Sequence, residues 1–154
     1  MLLAEAPGAD EDVDAFPPLG IGRPLVGKAG RLLDKLLTRG FLEREELVLT
    51  NRVRCRPPGN RLDEHPYAIL ACEPWTQQEI EAYNPGVVVL MGKTALRYKF
   101  GGDPKVGLIA GTCRDTDGRV YIATYHPAAV FRQRAVADII VRDLKEAKRL
   151  RDEQ

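Results

Sequence analysis

Apolar residues fall along the chain in four brief runs, with helical patterns between them. Met1–Ala4 is the first run and stops at the turn pair Pro7-Gly8, so it reads as a strand end. Leu47–Thr50 and Val87–Met91 follow; the latter is continuous and β-branched, as a strand buried on both faces should be. Val120–Thr124 is the fourth, preceded by a turn at Asp117-Gly118. Between the runs the period changes. Lys28–Thr38 carries Ala29, Leu32, Leu33, Leu36 and Leu37 at helical spacing and ends at Gly40, a suitable C-cap. Glu73–Tyr83 predicts an exposed helix, and Gly92–Tyr98 begins another. Ala135–Leu150 sets Val136, Ile140, Leu144 and Ala147 on one face with mixed charges opposite. Ala9–Gly22, with Asp10, Glu11, Asp12 and Asp14 ahead of Pro17-Pro18, predicts an acidic loop.

Strands alternating with helices predict an α/β layered fold around a mainly parallel sheet. No repeat, linker or single-sign tail divides the chain, so residues 1–154 are expected to form one domain. In such a sheet, ligands sit outside the carboxyl ends of the strands. Those ends carry Glu5 after the first strand and Asn51, followed by an arginine-rich loop, after the second. Gly92-Lys93-Thr94 follows the third and Tyr125-His126-Pro127 the fourth. A carboxylate, a carboxamide, a helix N-terminus and an imidazole are thereby directed to one crevice.

Composition narrows the class. With 154 residues, 44% hydrophobic and 29% charged, the chain is neither collagenous nor wholly disordered. No apolar run is long enough to span a bilayer, and the N-terminus lacks a basic segment ahead of its short apolar stretch. Three cysteines, Cys55, Cys72 and Cys113, are too few and too odd for a disulfide framework, which points to a reducing cytoplasm; with no bilayer-spanning run, no membrane partner is expected. A formal charge of +1 means that nucleic-acid binding would need locally concentrated cations.

Two stretches approach the phosphate-binding pattern. Gly22–Lys28 has the spacing but continues into Ala29, without the metal-binding hydroxyl, and Gly92-Lys93-Thr94 lacks a glycine at the required distance. A phosphate-loop hydrolase is therefore disfavoured. Asn51–Arg61 packs Arg52, Arg54, Arg56 and Arg61 around Pro57-Pro58 at a strand end, where guanidinium–phosphate contact is the better expectation. Cys55 and Cys72 lie too far apart for a C-x-x-C clip and, taken alone, read as buried thiols.

Together these stretches resemble a family. Ala4-Glu5-Ala6-Pro7-Gly8 with Glu11-Asp12, Gly22-Arg23-Pro24-Leu25-Val26-Gly27-Lys28-Ala29-Gly30, Thr50-Asn51 through Cys55-Arg56-Pro57-Pro58-Gly59-Asn60-Arg61, Cys72-x-Pro74-Trp75 and Tyr125-His126-Pro127-Ala128-Ala129-Val130 resemble family 4 uracil-DNA glycosylases, in the family's order. The resemblance implies a three-layer α/β/α sandwich with a central four-stranded, mainly parallel sheet. It also implies a DNA repair hydrolase that flips uracil out of DNA and breaks its N-glycosidic bond. Glu5 would orient the attacking water, Asn51 read the uracil edge and His126 contact the departing base. Expected substrate contacts are Ala6, Gly8, Leu25, Asn51 and Asn60; expected DNA contacts are Arg54, Arg56, Arg61, Lys93 and Arg132.

The chain departs from the family pattern at defined places. Ala4 replaces a glycine, Leu25 stands where the family has a stacking phenylalanine, and Ala15–Ile21, containing Phe16, is inserted. The family's [4Fe–4S] cluster would use Cys55 and Cys72 plus a C-x-x-C pair ahead of the first strand, which has no counterpart in this sequence. No cofactor is therefore expected, and the Cys55–Cys72 segment is expected to hold itself by burying Tyr67, Ile69, Leu70 and Trp75. The expected partner is uracil-containing DNA, acted on by a monomer. The alternative is a non-catalytic module that binds uracil-containing or single-stranded DNA.

Overall fold

The computed structural model describes residues 1–14 and 23–154; the expected insertion Ala15–Ile21 and the start of the Gly22–Lys28 stretch lie outside the described residues. Five strands form one sheet: β1 Leu2–Ala4, β2 Leu49–Asn51, β3 Val87–Met91, β4 Cys113–Thr116 and β5 Arg119–Thr124, in the order β2-β1-β3-β5-β4. The four expected strands are mutually parallel, with Leu2 opposite Leu49 and Val89, and Val89 opposite Ile122. The fifth, β4, pairs antiparallel to β5 across the Asp117-Gly118 turn and was not expected. Its sequence, Cys-Arg-Asp-Thr, has no apolar alternation because it caps an edge.

Helices cover both faces. α2 (Lys28–Arg39) and α6 (Val136–Asp152) pack on one face, where Leu33, Leu36, Leu37, Ile140 and Leu144 meet Leu2, Val89, Met91 and Ile122. The α6 residues expected to face inward, Val136, Ile140, Leu144 and Ala147, are all buried. α4 (Lys93–Phe100) and α5 (Val106–Ile109) pack on the other face against Leu3, Val88, Leu90, Tyr121 and Ala123. α3 (Tyr67–Tyr83) lies on that same face beside β2, because Thr50, which shares a side with its neighbour Leu3, hydrogen-bonds Glu79 at 2.5 Å.

Three expectations are corrected. The acidic loop begins as a helix, α1 (Ala9–Asp14). Its acidic first turn suits the helix dipole, and Glu11 accepts the Gly8 N–H in the manner of a capping box. α3 starts six residues before Glu73 and carries Pro74 inside it. The residues expected to be buried there are largely outside: Tyr67, Leu70 and Trp75 are 67, 76 and 58% exposed, so α3 holds on through Thr76 and Ile80 and through polar links.

No helix among the described residues is long and apolar enough to cross a membrane.

Candidate active site at the strand ends

A crevice of about 350 Å³ opens at the carboxyl ends of β1 and β5, the position expected for a ligand site in an open α/β sheet. Glu5, Ala6 and Gly8 line it from β1, Lys28 from the start of α2, Asn60 from the arginine-rich loop and His126 from β5. A larger basin of about 900 Å³ lies beside α6, but most of its charges pair with one another: Arg39 with Asp138, Arg142 with Asp143 and Arg149 with Glu146, at 2.6–2.7 Å. The strand-end crevice is the one that joins a carboxylate, an ammonium, a carboxamide and an imidazole.

The first wall is held by a carboxylate that sequence reasoning left without a role. Glu11 is buried and accepts backbone N–H bonds from Gly8 (3.1 Å), Val26 (3.0 Å) and Gly27 (2.9 Å), tying the loop after β1 to the N-terminus of α2. Burial pushes its pKa up, but these backbone donors prevail and hold it below the usual carboxylate value. The available signal was its spacing, three residues after Gly8 at a helix start. Gly30 lets this wall close, since a Cβ there would overlap the Leu25 carbonyl oxygen at 1.7 Å.

Leu25 does not join the crevice lining. Its backbone is left-handed (φ 56°), Arg44 holds the Pro24 and Leu25 carbonyls at 2.7 Å, and the side chain turns into the core beside α2. The expected substrate contact is thus a core residue.

Glu5 sits half-buried after β1, and Thr94 Oγ1 donates to its Oε2 at 2.6 Å. Across the crevice, His126 caps the 3-10 turn Pro127–Phe131: its Nδ1 accepts the Ala128 N–H at 3.2 Å. That bond fixes the tautomer, leaving the proton on Nε2 as a free donor. Burial lowers the His126 pKa, against the Glu5 and Glu11 charges that would raise it, so the ring is a neutral donor near neutral pH. Asn51 ends β2 opposite Ala4, next to the crevice but not in its lining; it is buried, and its Oδ1 has no hydrogen-bond partner among the described residues. A buried side-chain carbonyl of this kind keeps its capacity to accept a hydrogen bond.

The arginine-rich loop divides. Arg52 is buried, pairs with Glu73 and lies 4.8 Å from the Tyr98 ring centroid. Arg54, expected on DNA, instead turns under the sheet to Thr50 (2.6 Å) and Glu79 (2.9 Å). Arg56 donates to Asn60 Oδ1 at 2.7 Å and so shapes the crevice rim. Arg61 is exposed beside Glu64, Lys93 is exposed beside Asp103, and Arg132 is exposed just beyond the 3-10 turn. Phe131, missed in the sequence, is 48% exposed there, with Lys28 Nζ 4.5 Å from its ring centroid.

Two of the three cysteines lie close together and the third lies apart. Cys72 Sγ accepts the Arg54 N–H at 3.5 Å, which sets it against the residue before exposed Cys55. Cys113 lies on β4, at the opposite edge of the sheet from β2. No group of three or more potential ligands occurs among the described residues, so the cysteines present do not fit a four-thiolate cluster.

Comparison with known proteins agrees with this architecture. The uracil DNA glycosylase superfamily matches residues 1–147. The chain belongs to that superfamily. It is similar to the type-4 uracil-DNA glycosylase of Saccharolobus solfataricus, 32% identical over 96% of this chain and 69% of that protein. It is also similar to the type-4 enzyme of Thermotoga maritima (35% identical; 96% of this chain and 75% of that protein) and that of Pyrobaculum aerophilum (35%; 94% and 74%).

Proposed function

We propose that this protein is a uracil-DNA glycosylase that hydrolyses the N-glycosidic bond of uracil in DNA, with Glu5 and His126 as its reacting groups and Asn51 reading the base. The observation that carries this assignment is the pairing of a carboxylate and a fixed imidazole donor in one crevice, Glu5 with His126. A base stacked in a duplex cannot reach such a crevice, so the nucleotide is flipped into it.

The chemistry follows from where charge develops. As the bond between the sugar's anomeric carbon and the base breaks, its electron pair leaves with uracil and the sugar becomes cationic. His126 Nε2–H donates to the base oxygen that gains negative charge, an interaction stronger in the transition state than before it. Glu5 stabilises the sugar cation and orients the water that attacks the anomeric carbon. The unpartnered Asn51 Oδ1 accepts from uracil N3–H while its amide N–H donates to O4. Cytosine presents the opposite pattern and is refused. Exposed Arg61 and Arg132 bind phosphates, and Phe131 with Lys28 offers a face on which a neighbouring base stacks.

Anaerobically purified protein is expected to be colourless, with no stoichiometric iron or acid-labile sulfide; brown protein carrying both would restore the family's cofactor.

The decisive assay is an oligonucleotide with a single uracil, treated with alkali after incubation. Strand scission at the uracil is expected, and His126→Ala slows it by about 10²-fold, the scale of one lost transition-state donor. Asn51→Asp relaxes base choice toward cytosine. Tight binding of the oligonucleotide without scission would instead support a non-catalytic uracil-binding module.

A further inference from the structure

We infer that Thr94 is the positioning residue for Glu5, and that the Gly92-Lys93-Thr94 turn braces both reacting side chains. The inference rests on the role proposed above for Glu5. The turn resembles part of a phosphate loop in sequence, but its neighbours in space are a carboxylate and an imidazole.

β1 and β3 lie side by side, and the chain leaves β1 toward β2 on one side while β3 leads toward β5 on the other. This is the point where strand order reverses, and the Thr94–Glu5 bond crosses it, joining residues 89 positions apart. Thr94 is 8% exposed, so water competes poorly for its hydroxyl. The start of α4 is itself held: Gly92 N–H donates to the Thr124 carbonyl at 2.9 Å and Leu96 N–H to the Gly92 carbonyl at 3.0 Å. Gly92 has φ +86°, and a Cβ there would lie 2.9 Å from the His126 Cβ. One tight turn therefore backs His126 with Gly92 and grips Glu5 with Thr94.

The hydroxyl has one proton to give. Donating it to Glu5 Oε2 restricts rotation of the carboxylate and leaves Oε1 as the free acceptor for the water's proton. Without that grip the carboxylate samples several orientations, and the water it carries is less often in line with the anomeric carbon. Lys93, between the two, points outward to Asp103 at 2.5 Å and takes no part.

The test compares Thr94→Val and Thr94→Ala, which lack the hydroxyl, with Thr94→Ser, which keeps it. Single-turnover excision rate, Kd for uracil-containing DNA and thermal midpoint are measured for each folded variant. Val and Ala are expected to slow excision about 10- to 100-fold, the worth of one hydrogen bond to a charged group, with Kd within about two-fold and Ser near wild type. Thr94→Val at the wild-type rate would overturn the inference. So would equal losses in Val and Ser, or a loss confined to Kd. If Val does not fold, the Ala–Ser pair decides by the same criteria. Wild-type protein that leaves the uracil oligonucleotide intact would sink the proposed function itself, an outcome separate from any of these.

Discussion

On the face of the sheet covered by α2 and α6, Leu2, Val89, Met91 and Ile122 meet Leu33, Leu36, Leu37, Ile140 and Leu144, all buried and all apolar. On the opposite face the apolar layer is smaller, centred on Leu3, Leu90, Ala95, Leu96 and Tyr121, and toward β2 it gives way to polar links. There Arg52 reaches Glu73 and Tyr98, and Arg54 reaches Thr50 and Glu79. Apolar packing is non-directional, so each buried leucine contributes through the surface it covers and the volume it fills. The polar face depends on particular partners, and a buried guanidinium gains only what its partners return against desolvation, which lowers the Arg52 pKa.

The largest effect should come from the apolar face. Leu144→Ala, at a site with no exposure, is expected to cost about 2–5 kcal/mol of unfolding free energy in denaturant titration. A loss below about 1 kcal/mol would break the comparison. On the polar face, Arg52→Ala should cost about 1–3 kcal/mol, whereas Arg52→Met recovers most of it, because the aliphatic volume returns and half-exposed Glu73 rehydrates. Met behaving like Ala would mean that the ion pair itself holds α3.

Glu11 sharpens the contrast by pH. Its folded pKa lies below the ordinary 4.5, so its stabilising contribution is complete above that value and is lost as pH falls through the depressed one. Glu11→Gln should therefore lower the urea midpoint at neutral pH and flatten the decline below about pH 4.5, the wild-type and variant curves converging in acid. Parallel curves would remove Glu11 from that role.

The smallest effect separates the arginines. Arg132→Ala should reduce the slope of log K against log salt for DNA binding by about one, as a lost phosphate contact does, while Arg54→Ala leaves the slope unchanged. Equal slopes for all three proteins would mean that Arg132 points away from DNA, and a shallower slope for Arg54→Ala would return it to the interface.

Much of the candidate site was legible because strand ends are. Locating Met1–Ala4 and Val120–Thr124 by their apolar runs located Glu5 and His126 at one end of the sheet, and the crevice lies there. The early turns of α3 were not legible, because Tyr67 and Leu70 are apolar yet exposed, so no buried stripe marks them. β4 escaped for the opposite reason: its residues are mostly polar, as suits a strand that is itself the edge of the sheet.

Periodicity by itself determined the parallel strands, the inward face of α6 and the end of the sheet where ligands belong, because burying apolar surface imposes a repeat that a sequence records. Only the tertiary structure decided that Leu25 turns into the core, that Arg54 faces Glu79, that Glu11 bridges Gly8 to Gly27, and that Thr94 meets Glu5. Charged and hydroxyl groups act through one or two partners at about 3 Å, and those partners are brought together by the path of the backbone across the sheet rather than by any spacing along the chain.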